Sequence, residues 1–209
     1  APSDEDVVYA ATAPSFNRPE IFRTVDGGAT FDNVTAGLPD RYINDVYVHP
    51  ENPLEVYVTM GGFGSGHVFR STDGGENWED ITGDLPDVPT SALVLDVDNQ
   101  DALYVGNDLG VYASLDGGLS WEDFNEGFVD ATLVMDLKIK TSNHKLYVAT
   151  HGSGSLERDL LPEPAVATRQ AIVSDLGLKA WPNPFTSELN LSLREGSEQV
   201  TLMLYGATG

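Results

Sequence analysis

Several stretches of this chain set reactive residue types close together. His151-Gly152-Ser153-Gly154-Ser155 places an imidazole two residues from a hydroxyl, the pairing that nucleophilic catalysis uses. No third group stands by to orient the base, and the glycines suit a tight strand connection, so the stretch reads as a loop. Gly61-Gly62-Phe63-Gly64-Ser65-Gly66-His67 is the most glycine-rich segment. A phosphate cradle needs a helix behind it, and an apolar strand follows here, which sets nucleotide binding aside. A loop of this kind on a rigid scaffold can instead carry Phe63, with Ser65 and His67, toward a ligand. Asp96-Val97-Asp98-Asn99-Gln100-Asp101 spaces carboxylates as a calcium loop does, but it lacks the glycine and the late bidentate glutamate. It reads as structural, with a structural calcium ion the open alternative; no other cofactor and no metal centre is expected. His49 and His144 fall in polar loops and read as solvated, and no two histidines stand at metal-ligand spacing. Glycosidase chemistry would use two carboxylates about 5 Å apart, or about 6.5–9.5 Å apart. With 33 acidic residues in the chain, no pair singles itself out.

The elements that must position these groups announce themselves through repetition. Thr24-Val25-Asp26-Gly27-Gly28-Ala29-Thr30-Phe31, Ser71-Thr72-Asp73-Gly74-Gly75-Glu76-Asn77-Trp78 and Ser114-Leu115-Asp116-Gly117-Gly118-Leu119-Ser120-Trp121 share the pattern Ser/Thr-x-Asp-Gly-Gly-x-x-aromatic. Their aspartates lie 47 and 43 residues apart, the size of a propeller blade. The turn residues are Thr24, Asp26, Gly28 and Phe31; Ser71, Asp73, Gly75 and Trp78; Ser114, Asp116, Gly118 and Trp121. Each aspartate can accept backbone N–H groups inside the turn, each hydroxyl can add a second local bond, and each aromatic is expected to pack under its own hairpin.

An apolar strand precedes each turn and recurs once more after them: Val7–Ala10, Val56–Val58, Leu103–Val105 and Leu146–Val148. Short Val-, Tyr-, Leu- and Phe-rich runs bounded by Gly, Pro, Asn and Asp read as all-β. The second unit resolves into strands at Tyr42–Val48, Glu55–Met60, His67–Ser71 and Asn77–Ile81. The third resolves into Ser91–Val97, Ala102–Gly106, Gly110–Ser114 and Ser120–Phe124. The first unit lacks its opening strand. The last holds Thr132–Ile139, Lys145–Thr150 and Gly154–Glu157, with no fourth strand. The expected fold is a partial β-propeller of four-stranded antiparallel blades over residues 1–160, about 3.5 blades, followed by a linker at 161–178 and a short β segment at 179–209. A closed ring takes about 4–8 blades. The chain is therefore expected to be part of a longer protein, or to share its ring with other chains.

The 209 residues carry 11 basic and 33 acidic side chains, a formal charge of −22. Such a surface repels nucleic acid and anionic membrane, so neither is expected as a partner. There is no cysteine, which excludes disulfides and thiolate metal sites. No apolar run approaches the roughly 20 residues of a membrane-spanning helix.

The three turns resemble the Asp-box, or BNR repeat, of sialidases, xyloglucanase-type glycoside hydrolases, sortilin-type receptors and photosystem-assembly-factor-like propellers. The resemblance covers residues 1–160 and implies fold rather than activity. In those families the box lies on the blade periphery, away from the central site, so Asp26, Asp73 and Asp116 are not expected to be catalytic. A sialidase would need an arginine triad and a tyrosine nucleophile. Of the seven arginines, Arg23 and Arg70 precede repeat turns and read as structural, which argues against that activity.

Ala180-Trp181-Pro182-Asn183-Pro184-Phe185-Thr186-Ser187-Glu188-Leu189-Asn190-Leu191 resembles the opening of a type IX secretion sorting domain, with Pro182, Asn183, Pro184 and Phe185 as its motif. Val200–Gly209 resembles the later strand of that domain, with Gly206 where an aspartate is usual. The resemblance implies export by the type IX machinery to the outer cell surface or the medium. The expected function is a binding or adhesion module for glycan or extracellular protein. A glycoside hydrolase of the xyloglucanase-like kind, with its carboxylates outside this chain, is the alternative. Trp78 and Trp121 belong to turns and Trp181 to the tail, which leaves no tryptophan free to stack on sugar and favours the first reading.

Overall fold

The computed structural model describes residues 1–13, 18–128 and 132–161, together with the backbone of 179–181 and 190–192. The chain divides into two compact units, Ala1–Glu163 and Pro164–Gly209.

The first unit is built from four antiparallel sheets in chain order. Blade one holds β1 (Val8–Ala11), β2 (Ile21–Thr24) and β3 (Asp32–Asn33). Blade two holds β4 (Ile43–Val48), β5 (Val56–Met60), β6 (Val68–Ser71) and β7 (Glu79–Asp80). Blade three holds β8 (Thr90–Asp96), β9 (Asn99–Asn107), β10 (Gly110–Ser114) and β11 (Glu122–Asp123). Blade four holds β12 (Val134–Lys140), β13 (Lys145–Thr150) and β14 (Ser155–Asp159). Among the described residues the single helical element is a 3-10 turn at Thr141–Asn143. In the second unit, β15 (Lys179–Trp181) pairs antiparallel with β16 (Asn190–Ser192). The motif residues 182–185 lie outside the described residues.

The Tyr strands of blades two and three, β5 and β9, are apolar at successive positions because both of their faces are covered. On β9, Leu103 and Val105 enter the core between blades two and three, while Ala102 and Tyr104 enter the core between blades three and four. On β5, Tyr57 turns toward blade three, and Val58 and Met60 turn toward the core shared with blade one. The unit thus has one apolar core per blade interface, which is how a radial array of twisted sheets buries its surface. Leu160 and Leu161 close over the last of these cores, and the Leu161 N–H donates to the Tyr104 hydroxyl at 2.8 Å.

Three features depart from the sequence reading. The polar stretch before Leu103 is largely strand: β9 begins at Asn99 and pairs that residue with Asp96 across a tight turn. Each inner strand carries a β-bulge at the same place, since the register steps from Ile43 to Asp45, from Thr90 to Ala92 and from Val134 to Asp136. His49, expected to be solvated, is buried, and its Nδ1 accepts the N–H groups of Glu51 and Asn52 at 3.1 and 3.2 Å. The ring replaces the turn-capping carboxylate that a loop of this kind otherwise uses. His144 is exposed, as expected, and takes a left-handed conformation at φ 49°.

Candidate functional site

The three Asp-Gly-Gly turns carry the same bonds. The hydroxyl of Thr24, Ser71 or Ser114 donates to Oδ1 of the aspartate at 2.7, 2.8 and 2.7 Å. The same hydroxyl accepts the N–H of Gly28, Gly75 or Gly118 at 2.9, 2.7 and 2.9 Å. The position written as free before the aromatic is chemically restricted. Thr30, Asn77 and Ser120 each donate a backbone N–H to Oδ1 and a side-chain hydrogen to Oδ2. The first glycine of each pair, Gly27, Gly74 or Gly117, donates to the carbonyl of Asp6, Leu54 or Asp101 at 3.0, 2.7 and 3.0 Å, tying the turn to the loop before the Tyr strand.

These bonds all favour the ionised aspartate. The Thr30 side chain first, then its N–H and Thr24, hold Asp26 down at about 2. Asn77 first, then Ser71, hold Asp73 at about 2. Burial pushes Asp116 up, but the Ser120 hydroxyl and N–H and the Ser114 hydroxyl outweigh it and leave this carboxyl also at about 2. Carboxyls held this far below neutral pH are poorly matched to acid–base catalysis there, and the bonds of each aspartate serve its own turn.

Phe31 and Trp78 lie against the second glycine of their own hairpins, as expected, and the tryptophans also reach the preceding blade. Trp78 reaches back to blade one, where its Nε1 donates to the Val34 carbonyl at 2.8 Å. Trp121 reaches back to blade two and donates to the Ile81 carbonyl at 3.1 Å. Each tryptophan therefore joins two blades, as burial of an amphipathic ring with one polar handle favours. Arg23 makes a reciprocal bridge, donating to the Asp73 and Gly74 carbonyls of blade two, both at 3.2 Å. Arg70 is held by Glu55 and lies 5.7 Å from the centre of the Tyr57 ring. Both arginines are structural.

Antiparallel strand order fixes which loops meet. The β4–β5 connection and the Asp-Gly-Gly turn share one end of blade two, where Gly74 bonds Leu54. The β5–β6 connection, residues 61–67, shares the opposite end with the β7–β8 connection, and there a pocket of about 540 Å³ opens. Its walls include Gly64, Ser65, Gly66, His67, Asp80 and Asp87. Asp87 organises it: Oδ1 accepts the Gly64 N–H at 2.7 Å and faces His67 Nε2 at 2.9 Å. The Gly64 N–H, then His67, then the charge of Arg41 hold the Asp87 carboxyl below its ordinary range. Arg41 also donates to the Phe63 carbonyl at 3.2 Å. Of the three residues proposed to face a ligand, Phe63 is 60% exposed, while His67 is 1% exposed and forms the back of the pocket. Ser65 Oγ is buried without a partner.

A second cavity, of about 400 Å³, was not foreseen from sequence. It lies along the inner strands and is lined by Asp45, Tyr47, Leu93, Asp136 and Lys138, among others. Asp45 and Asp136 occupy the same register position just past the bulges of blades two and four, with Ala92 between them in blade three. Burial first, opposed by the Leu93 N–H and reinforced by the Asp136 charge, pushes the Asp45 carboxyl up. A recurring bulge position marked by Asp, Ala and Asp leaves no glycine or proline signal for a reader of the sequence. The 150–154 segment closes a turn, with the Thr150 N–H and the Gly154 carbonyl 3.0 Å apart, and His151 stays exposed. No group of three or more His, Asp or Glu side chains among the described residues converges as a metal ion requires. No helix among them is long and apolar enough to cross a membrane.

Repeated four-stranded sheets, identical corner turns and a core at each blade interface define a β-propeller of the Asp-box kind. The family described as sortilin, neurotensin receptor 3 (Sortilin-Vps10) matches residues 19–159, and the chain belongs to it. Among solved structures, the GH74 enzyme of Niastella koreensis is similar at 19% identity with a TM-score of 0.59, covering 70% of this chain and 24% of the enzyme. The GH74 xyloglucanase of Xanthomonas campestris is similar at 19% identity with a TM-score of 0.55, covering 71% of this chain and 26% of that one. YCF48 bound to a D1 peptide is similar at 19% identity with a TM-score of 0.53, covering 75% of this chain and 49% of that one. This chain thus spans about a quarter of the GH74 enzymes and about half of YCF48. At such identities the likeness establishes the propeller fold. No curated protein matches the chain in sequence.

Proposed function

We propose that this propeller is a secreted or surface-displayed binding module that engages glycan or extracellular protein without chemical turnover. The observation that carries the reading is the loop end of blade two. There a blade carries an exposed Phe63 next in sequence to a polar pocket whose carboxylate Asp87 is fixed by Gly64 and His67. Scaffolded loops of this kind are where propellers and other rigid folds place recognition. The tryptophans described serve as blade latches, which supports binding over a long sugar-stacking catalytic cleft. The tail motif Pro182–Phe185 supports export through the type IX machinery.

Asp45 and Asp136 favour a second reading, as part of a glycoside hydrolase. A carboxyl raised by burial beside a second carboxylate is the pattern of an acid and its partner. Incubating the full-length protein with xyloglucan and a panel of plant and bacterial polysaccharides separates the two. Retention on a polysaccharide or on an extracellular protein, with no new reducing ends, supports the binding module. Release of oligosaccharides overturns it, and so does failure to bind any of these.

A further inference from the structure

We infer that the pocket at the loop end of blade two takes a neutral sugar residue, with Asp80 and Asp87 accepting its hydroxyls and Phe63 packing against its ring. This rests on the binding function proposed above and names its ligand class. The shape comes first. Gly64 presents bare backbone to the pocket, with open space where a Cβ would stand, so a ligand ring can lie close to the chain there. The hydrogen-bond inventory comes next. Asp80 holds the Thr82 N–H on Oδ1 at 2.9 Å, and Asp87 holds Gly64 and His67 on Oδ1. Both carboxylates are thereby oriented, and among the described residues neither Oδ2 has a protein partner. Two fixed acceptors suit the donors of adjacent sugar hydroxyls.

The residue before Gly64 supplies the apolar component. Phe63 is 60% exposed, and the Arg41 guanidinium anchors its carbonyl. A sugar offers such a ring its C–H face while its hydroxyls reach the carboxylates, the mix of apolar wall and few polar groups that small-ligand sites use. Charge then selects among sugars. Two carboxylates in a chain of formal charge −22 repel uronic and sialic acids. Arg41, close enough to hold the Asp87 carboxyl down, offsets part of the negative potential and disfavours a lysine or arginine side chain as the occupant.

Titration calorimetry on the full chain with cellotetraose, mannotriose, sialyllactose and pentalysine tests this. At least one neutral oligosaccharide binds, its affinity is unchanged by about 0.5 M NaCl, and Phe63→Ala and Asp80→Asn each weaken it about tenfold. Phe63 is exposed, so its truncation leaves the thermal midpoint in place and separates lost binding from lost folding. Sialyllactose or pentalysine bound in preference, and released by salt, overturns the sugar class. Neutral-sugar binding that both variants leave intact overturns the site while the binding function stands. Failure of all four probes overturns the inference, whereas the binding function then falls only if the polysaccharide and protein retention assay also fails.

Discussion

The Asp116 turn of blade three and the Asp26 turn of blade one share the hydroxyl, glycine N–H and carboxylate bonds to within 0.1 Å. Their aromatics part company. Trp121 is 7% exposed, wedged against blade two with its Nε1 on the Ile81 carbonyl, whereas Phe31 is 50% exposed and no blade precedes it among the described residues. The hydroxyl and carboxylate bonds of the turn are thus made within its own eight residues, while its last side chain depends on a neighbouring blade. One motif combines two devices: a corner that forms from local hydrogen bonds, and a latch that is idle until another sheet arrives.

The comparison breaks most sharply on truncation of the aromatics. Trp121→Ala is expected to cost about 3–5 kcal/mol in urea unfolding, as removal of a large buried aromatic does. Phe31→Ala is expected to stay within about 0.5 kcal/mol, as an exposed position does. Equal losses at the two sites would show that exposure does not govern the aromatic's contribution. The glycine pair of blade three gives an internal control. Gly117 and Gly118 both have positive φ, 73° and 96°, so alanine at either is expected to cost about 1–2 kcal/mol in strain. A Cβ on Gly118 would also lie 3.0 Å from Ile81 Cβ, while one on Gly117 would meet open space. Gly118→Ala is therefore expected to lose about 1–3 kcal/mol more than Gly117→Ala, from overpacking against blade two.

Smaller effects sharpen the latch itself. Trp121→Phe keeps most of the packing but leaves the Ile81 carbonyl without its donor, for a cost of about 1–3 kcal/mol. The local half of the motif is best read by acid. Asp26, Asp73 and Asp116 sit at about 2 in the fold against an ordinary value of 3.8. A depressed folded value means stability that is present above 3.8 and lost as pH falls toward 2, because the unfolded chain takes up protons first. Unfolding free energy followed from pH 5 to pH 2 should fall throughout that window. Asp73→Asn should make the fall shallower by one proton, by the same amount as Asp26→Asn, since both turns hold their charge without help from a neighbouring blade.

Periodicity made the corners, the strand ladder and the number of sheets legible before any coordinates, because hairpin chemistry is local and repeats in register with the chain. What sits between blades was not legible. A pattern ending in an aromatic says that a ring is placed there; it does not say that Trp78, lying against Gly75, also reaches back to Val34. The bulges before Asp45, Ala92 and Asp136 carry no glycine or proline, so the two carboxylates that they bring to one cavity remained lost among 33 acids. His49 and His67 were hidden for a related reason: a histidine in a polar loop gives no sign that backbone N–H groups or an aspartate 20 residues away will claim its ring. The loop of residues 61–67 stood out because glycine density is itself a sequence signal, although Asp80 and Asp87, which line the same pocket, did not.

The backward reach of the tryptophans sets a direction in time. Trp78 finds its acceptor 44 residues upstream and Trp121 finds one 40 residues upstream. At the roughly 5–20 residues per second of synthesis, that span takes about 2–9 s. A nascent chain therefore always has the receiving carbonyl already made when the ring emerges, so each tryptophan latch can close as soon as its own blade is delivered.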